Sequence, residues 1–399
     1  MSQISFAWEL GTNAGHVAQI AFPAEGLLAQ GHRVACALRD LNAASGLPAE
    51  CSLLQAPVWL PEVKGLPDPP LNYAEILLRF GYHDPACLNR MISAWRSLFQ
   101  SMRTDVIVAN HGPTALVAAR SLNIPAVVLG EGFTIPPVCA PMPNMRPWAQ
   151  VPAERLASSE KLVTGSINAV LQKYASRPIA NLADIFAGPR LLCTFPELDH
   201  YRERGDRYYG PIVRNEIGLE TEWPEGKGSR VLVYMQPGHR DLLRMLEILS
   251  ALDCVVLAVV PGLGEDARKR LESTNLRISA DPLKLEPLLE TCDLAVSYAG
   301  HGLVSVCLMA GVPLFLLPTQ LEQYLLALRV QNMGAGIAIN PEGAQPSYVN
   351  SIRQMLASDD YKARAREFAD RHAGFDRQAQ RDALCTAIEN AIEGAPRGG

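Results

Sequence analysis

Two doubly wound α/β domains are what this chain of 399 residues predicts, and three observations carry the prediction. Short, continuous apolar runs alternate with segments of helical periodicity, the pattern of parallel strands buried on both faces and joined by crossover helices. A polar stretch from residue 210 to 229, GPIVRNEIGLETEWPEGKGS, is rich in Gly, Pro and Glu and separates two such halves. At about 150 residues per domain the length exceeds one core, and 48% hydrophobic against 19% charged residues supply material for two.

In the first half, residues 4–10 read as a strand, 23–30 as a helix, 33–38 as a strand, 104–109 as a strand, 114–122 as a helix and 126–129 as a strand. Leu88, Met91, Ile92, Trp95, Leu98, Phe99 and Met102 recur at helical spacing, a stripe that faces a core. In the second half, 230–235, 255–260, 294–297 and 314–317 are apolar runs of buried-strand type, and 363–392 reads as helix. These limits define an N-terminal domain over 1–212, a linker over 213–228, a C-terminal domain over 229–375, and a last helix and tail over 376–399. Two proline-rich stretches, 57–70 and 130–152, break the alternation; each is either a binding loop or a stiff surface excursion. Phe133 and Trp148 lie in the second.

Composition excludes several classes of function. Thirty-six Lys and Arg against 41 Asp and Glu leave a net charge of −5, which argues against a phosphate-backbone binder. Nine cysteines without a CxxC pair fit neither a disulfide framework nor a thiolate zinc site, and the eight histidines show no metal-ligand spacing. The start MSQISFAWEL lacks the basic flank of a signal peptide, and no uncharged apolar run approaches the roughly 18 residues of a membrane span. A cytoplasmic protein is expected.

The segment 296–318, VSYAGHGLVSVCLMAGVPLFLLP, carries the most chemical information. A strand ends near Tyr298, a small-residue turn follows, and a helix runs to about Ala310. Such a turn is either an ordinary strand-to-helix connection or a cradle whose free N–H groups and helix dipole suit a pyrophosphate.

From Asp293 to Gly336 the chain resembles the donor-binding region of family 1 glycosyltransferases, through Asp293, Gly300, Gly302, Gly311-Val312-Pro313, Pro318, Glu322-Gln323, Arg329-Val330, Gly334 and Gly336. The N-terminal segment 11–34, with Gly15-His16 and Gly31-His32, is similar to the family's first motif, and 104–129 and Tyr209-Gly210-Pro211-Ile212 match further family segments. The resemblance implies two Rossmann-like domains facing a cleft, the GT-B architecture, with a last helix that crosses back to the N-terminal domain. It also implies that the turn Tyr298, Ala299, Gly300, His301, Gly302 and Leu303 holds the donor diphosphate, that Val306 stands at the ribose, and that Glu322 and Gln323 read the sugar. His16 becomes the base that deprotonates the acceptor hydroxyl, a role that suits imidazole, and His32 becomes structural.

Four positions depart from the family pattern: Asn110 replaces the acid that orients the histidine, Tyr298 the phosphate-binding His, Leu303 a hydroxyl residue and Val306 the ribose-binding Glu. His111, Glu9 and Glu131 are candidate substitutes for the missing acid, and His301 for the missing phosphate ligand. Pro23 lies seven residues after His16, so the regular helix is expected to begin near Pro23 with a longer loop around His16. The resulting expectation is an inverting, metal-independent glycosyltransferase with no cofactor beyond its nucleotide-sugar co-substrate. A dTDP-sugar is favoured over a UDP-sugar, because Val306 offers no acceptor to a ribose hydroxyl. The expected acceptor is an apolar small molecule or lipid, contacted by Phe133 and Trp148. A nucleotide-sugar epimerase and a non-catalytic nucleotide-sugar-binding protein are the rival readings.

Overall fold

The computed structural model describes residues 1–12, 15–202, 204–213, 218–343 and 346–394. Positions 13–14 of the N-terminal motif, 214–217 of the expected linker and the tail 395–399 lie outside the described residues. The chain divides into two compact units, one formed by Met1–Ile212 with the chain from Asp376 onward and the other by Val213–Phe375.

The first unit is built on six parallel strands: β1 (Gln3–Ala7), β2 (Arg33–Leu38), β3 (Ser52–Gln55), β4 (Val106–Ala109), β5 (Ala126–Gly130) and β6 (Arg190–Leu192), in the order β3-β2-β1-β4-β5-β6. Every residue of β1 and β4 is buried, because helices cover both faces of the sheet. On one face, the helix Pro85–Met102 buries Leu88, Ile92, Trp95 and Phe99, spaced four, three and four residues apart. Asp84 caps its first turn by accepting from the Ala86 N–H, and Arg103 ends it in the left-handed region. Each of those four side chains contributes roughly 1.5–3 kcal/mol by leaving water. On the other face, Val17, Ile20, Phe22 and Leu27 pack with Leu384, Cys385 and Ile388 of the last helix, Arg377–Glu393.

The second unit repeats the plan with β7 (Ser229–Tyr234), β8 (Cys254–Val259), β9 (Leu276–Ser279), β10 (Leu294–Ser297), β11 (Leu314–Leu316) and β12 (Gly336–Ala338), in the order β12-β11-β10-β7-β8-β9. Counted within each unit, both sheets read three-two-one-four-five-six, so the chain reverses direction between β1 and β4 and again between β7 and β10. Crevices at such reversals, beyond the carboxyl ends of the strands, are where open α/β sheets take ligands.

Two expectations need correction. The helix that carries His16 runs from Gly15 to Ala29 straight through Pro23, rather than beginning there. A mid-helix proline costs about 3 kcal/mol; burial of nine of the fifteen residues, Pro23 among them, outweighs that cost. The single helix read over 363–392 is two, Asp359–Arg371 and Arg377–Glu393, with Asp376 capping the second by accepting from the Gln378 and Ala379 N–H groups. The break also separates the units, since Phe375 ends one and Asp376 reopens the other. The last helix is tied to the first unit by Gln380 Nε2, which donates to the Gly210 carbonyl at 2.7 Å, and by Arg381 with Glu25 at 2.9 Å.

Candidate active site

At the first unit's switch point, the chain leaving β1 passes Trp8, Glu9 and Leu10 to Gly11, and the chain leaving β4 turns at Asn110 and His111. The Asn110 N–H donates to the Ala7 carbonyl at 2.9 Å and the Leu10 N–H to the His111 carbonyl at 3.0 Å, which locks the two strand ends together. His16 enters one residue inside its helix, with Nδ1 at 2.6 Å from Asn110 Oδ1. Its ring stacks on Trp8 at 5.2 Å between centroids. Gly11 has φ +83°, and a Cβ added there would fall on His16 Nε2. Glycine is therefore required at position 11 twice over, by conformation and by the approach of the imidazole.

Hydrogen-bond arithmetic fixes the tautomer of this histidine. Asn110 Nδ2 donates to the Leu129 carbonyl at 3.1 Å and to Gln19 Oε1 at 2.7 Å. A carbonyl only accepts, so the NH₂ of Asn110 must face Leu129 and its oxygen must face His16. Nδ1 of His16 then donates its proton, which leaves the lone pair on Nε2. Gln19 Nε2 in turn donates to Glu131 Oε2, so a row of four side chains runs from imidazole to carboxylate.

Of the three candidates for the missing acid, two make no hydrogen bond to the row that begins at His16. Glu9 caps the helix Pro113–Leu122, accepting from the Thr114 and Ala115 N–H groups at 3.0 and 3.2 Å and from the Thr114 hydroxyl. Burial pushes its carboxyl up to about 7, against the partial compensation of those hydrogen bonds. His111 packs beside His16 at 5.8 Å with no hydrogen bond between the rings, and its buried Nε2 has no partner. Burial holds its pKa down at about 3, so it is a neutral ring. Glu131 alone connects to His16, through two amides.

Phe133 is buried edge-on against His111 at 6.4 Å, and its N–H donates to His200 Nδ1 at 3.2 Å. The loop that carries it packs inward through Ile135, Met142 and Met145, whereas Trp148 is 42% exposed. His32 accepts from the Ser2 N–H at 3.3 Å and bonds Glu389 at 3.0 Å, which pins the first strand to the last helix.

At the second unit's switch point the building material is backbone. After Ser297, Ala299 takes a left-handed φ of +65°, its N–H donating to Ser297 Oγ at 3.2 Å. Gly300 then opens the helix His301–Met309 and provides no side-chain cap for its first amides. A Cβ at Gly300 would meet the Tyr298 ring at 3.2 Å, so glycine here lets the tyrosine lie over the turn. Gly302 and Leu303 follow in the first helical turn, and Val306 is buried one turn further on. Glu322 and Gln323 occupy the first turn of the helix Leu321–Asn332. Gln323 is buried, and its Oε1 accepts from the Thr319 N–H at 3.0 Å and the Thr319 hydroxyl at 3.1 Å. Asp293, the first residue of the matching segment, clamps the Arg230 N–H and Lys362 Nζ at 3.0 and 2.9 Å. Among the described residues, no group of three or more His, Cys, Asp or Glu is placed to hold a metal ion, and no helix is long and apolar enough to cross a membrane.

Comparison with known proteins agrees with this architecture. Residues 244–377 match the model of the C-terminal domain of erythromycin biosynthesis protein CIII-like proteins. A PGL/p-HBAD biosynthesis glycosyltransferase of Mycobacterium tuberculosis is 23% identical over 323 residues, 74% of each chain. A PGL/p-HBAD biosynthesis rhamnosyltransferase of Mycobacterium bovis is 24% identical over 306 residues, 71% of this chain and 67% of its own. Among solved structures, the spinosyn rhamnosyltransferase SpnG complexed with thymidine diphosphate superposes with a TM-score of 0.66 at 19% identity, over 96% of this chain and 100% of its own. With two parallel Rossmann-like sheets, the matched C-terminal model and glycosyltransferase relatives that span most of its length, the chain is a glycosyltransferase of the GT-B fold, similar to the family 1 enzymes.

Proposed function

We propose that the chain transfers a sugar, with inversion and without a metal ion, from a nucleotide-diphosphate donor to a hydroxyl of an apolar small-molecule or lipid acceptor. The observation that carries this reading is the His16–Asn110 pair at the first switch point, whose hydrogen bonds leave a lone pair on Nε2. Nε2 takes the acceptor's hydroxyl proton, and the oxygen attacks the anomeric carbon from the face opposite the diphosphate. The bond to the diphosphate oxygen breaks as the new glycosidic bond forms, so the configuration inverts in one displacement. The charge that develops on the diphosphate is matched by the amides of the turn from Ala299 to Leu303.

A thymidine diphosphate donor is the reading that Val306 supports. A buried valine presents no acceptor to a ribose 2′-hydroxyl, which would lose its hydration without compensation, whereas deoxyribose has no such group. SpnG was solved with thymidine diphosphate and VinC, another solved glycosyltransferase, with dTDP, which favours the same choice. Thermal shift with dTDP, UDP, GDP and ADP is the direct test. Ligand at about 100 times its Kd adds roughly 2.7 kcal/mol, several degrees of Tm in a protein of this size. Stabilisation by UDP but not dTDP overturns the donor assignment. Donor binding with no transfer to any hydroxyl in a cell extract overturns the transferase mechanism in favour of a binding protein.

A further inference from the structure

Within the base site just proposed, and resting on that reading, the geometry points to Glu131 as the carboxylate that serves His16, acting through Gln19 and Asn110 as a positioning residue. The row has only one consistent set of donors. Glu131 and the Leu129 carbonyl are acceptors at its far side, so both amides turn their NH₂ groups toward them and their oxygens toward the histidine. All four side chains are buried, and in such surroundings a hydrogen bond to a charged group polarises the next bond along the row. The negative charge that an acid at position 110 would supply directly is thereby displaced two residues outward.

The displacement has a structural cause. Asn110 Nδ2 meets two acceptors, Leu129 O at 3.1 Å and Gln19 Oε1 at 2.7 Å. A carboxylate there would face both with lone pairs. An amide at 110 is therefore demanded by its surroundings, and the carboxylate has to stand elsewhere. Glu131 follows β5 directly, as Asn110 follows β4, which brings the acid to the same end of the sheet on the neighbouring strand.

Three proteins test the assignment: Glu131→Gln, which removes the charge and keeps the shape; Gln19→Glu; and the double variant Gln19→Glu/Glu131→Gln. The double variant exchanges the two groups, preserves the charge and keeps one donor and one acceptor at each contact of the row, with the amide at 131 now donating to the carboxylate at 19. The first readout is steady-state turnover with a dTDP- or UDP-sugar and 4-methylumbelliferone as the probe hydroxyl, compared with release of nucleotide diphosphate to water. The second is the His16 Nδ1–H resonance in the proton NMR spectrum, whose downfield position reports the strength of its bond to Asn110 and needs no turnover.

Glu131→Gln is expected to lower kcat about tenfold with donor KM unchanged, a part of the roughly 10²–10⁴-fold that a positioned base contributes. It is also expected to move the Nδ1–H resonance upfield. The exchanged double variant is expected to return both to within about threefold and to the original side, a recovery that a merely structural role for Glu131 does not produce. Wild-type kcat in Glu131→Gln, or no recovery in a folded double variant, overturns the assignment. If the wild-type protein turns over no donor with either acceptor, the transferase mechanism fails. The resonance then decides the relay by itself, and an unmoved Nδ1–H in Glu131→Gln overturns it.

Discussion

The two switch points use the same strand order and opposite materials. At the first, beyond β1 and β4, the chain buries His16, Gln19, Asn110, His111, Glu9 and Glu131 among Trp8, Tyr73 and Phe133, and side chains bonded to one another join four of them in a row. At the second, beyond β7 and β10, the turn from Ala299 to Gly302 carries one polar side chain, that of His301, and otherwise presents main-chain amides at the start of a helix. Backbone N–H groups attract phosphate without titrating, so a short glycine-bearing turn suffices for an anion. Moving a proton requires a side chain in one tautomer, and fixing one tautomer takes a row of partners.

The comparison is broken most sharply at the histidine. His16→Ala should lower transfer by roughly 10²–10⁴-fold while dTDP affinity stays within a few-fold, because nucleotide is assigned to the backbone turn. Rates and calorimetric binding measured on the same preparation check this, and a parallel loss of both would show that the two switch points are not separable in function.

Titratable groups crowd the first switch point, so stability should depend on pH there in a predictable sense. Glu9 is raised by burial from 4.5 to about 7, so the folded state keeps a proton that the unfolded chain releases between those values. Its stabilisation is complete below pH 4.5 and is lost as the pH rises to about 7, of order 3 kcal/mol. His111, depressed from 6.5 to about 3, has the opposite sign: its contribution is complete above 6.5 and is lost as the pH falls toward 3. Glu9→Gln removes the first slope and leaves the second. Urea melts at pH 5 and pH 7 should show the variant gaining on wild type at the higher pH; an equal difference at both would assign Glu9 an unshifted carboxyl.

Asn110→Asp sharpens the distinction between a lost acid and a displaced one. From the motif alone the substitution restores the family's usual partner for the histidine. The network instead faces the new carboxylate with Leu129 O and Gln19 Oε1 at 3.1 and 2.7 Å. A loss of roughly 1–3 kcal/mol in stability is expected, together with a lower kcat. Higher activity in Asn110→Asp would be the outcome that refutes the network argument.

The smallest effect is expected at the second switch point. Gln323→Ala removes the acceptor for the Thr319 N–H and hydroxyl, about 1 kcal/mol of stability. The NH₂ it also removes should weaken a dTDP-sugar more than dTDP itself. Titration of both ligands decides the matter, since equal affinities before and after would confine Gln323 to shaping the loop.

The fold class was legible because the central strands are buried on both faces and therefore read as unbroken apolar runs. The strands that the sequence did not disclose, β3, β6, β9 and β12, are the two edges of each sheet. They are three or four residues long, and β3 is largely exposed with no alternation to betray it. The helix through Pro23 was misread for a related reason: propensity is a local quantity, and the burial that overrides it is supplied by residues more than 350 positions away, Leu384, Cys385 and Ile388.

His16, Asn110 and the glycine turn could be found by position in the chain, since each follows an apolar strand with small residues around it and the linked motifs fall in register. Gln19 and Glu131 carry fainter signals, a lone amide in the apolar run HVAQIAF and a lone acid directly after VVLG. What joins them was decided only in three dimensions. Gln19 and Glu131 are 112 residues apart and His16 and Asn110 are 94 apart, and nothing in local spacing says which oxygen faces which nitrogen. Periodicity records burial, which each segment carries in its own composition. Hydrogen-bond direction is settled by acceptors such as the Leu129 carbonyl, which become neighbours only when β4 and β5 pair.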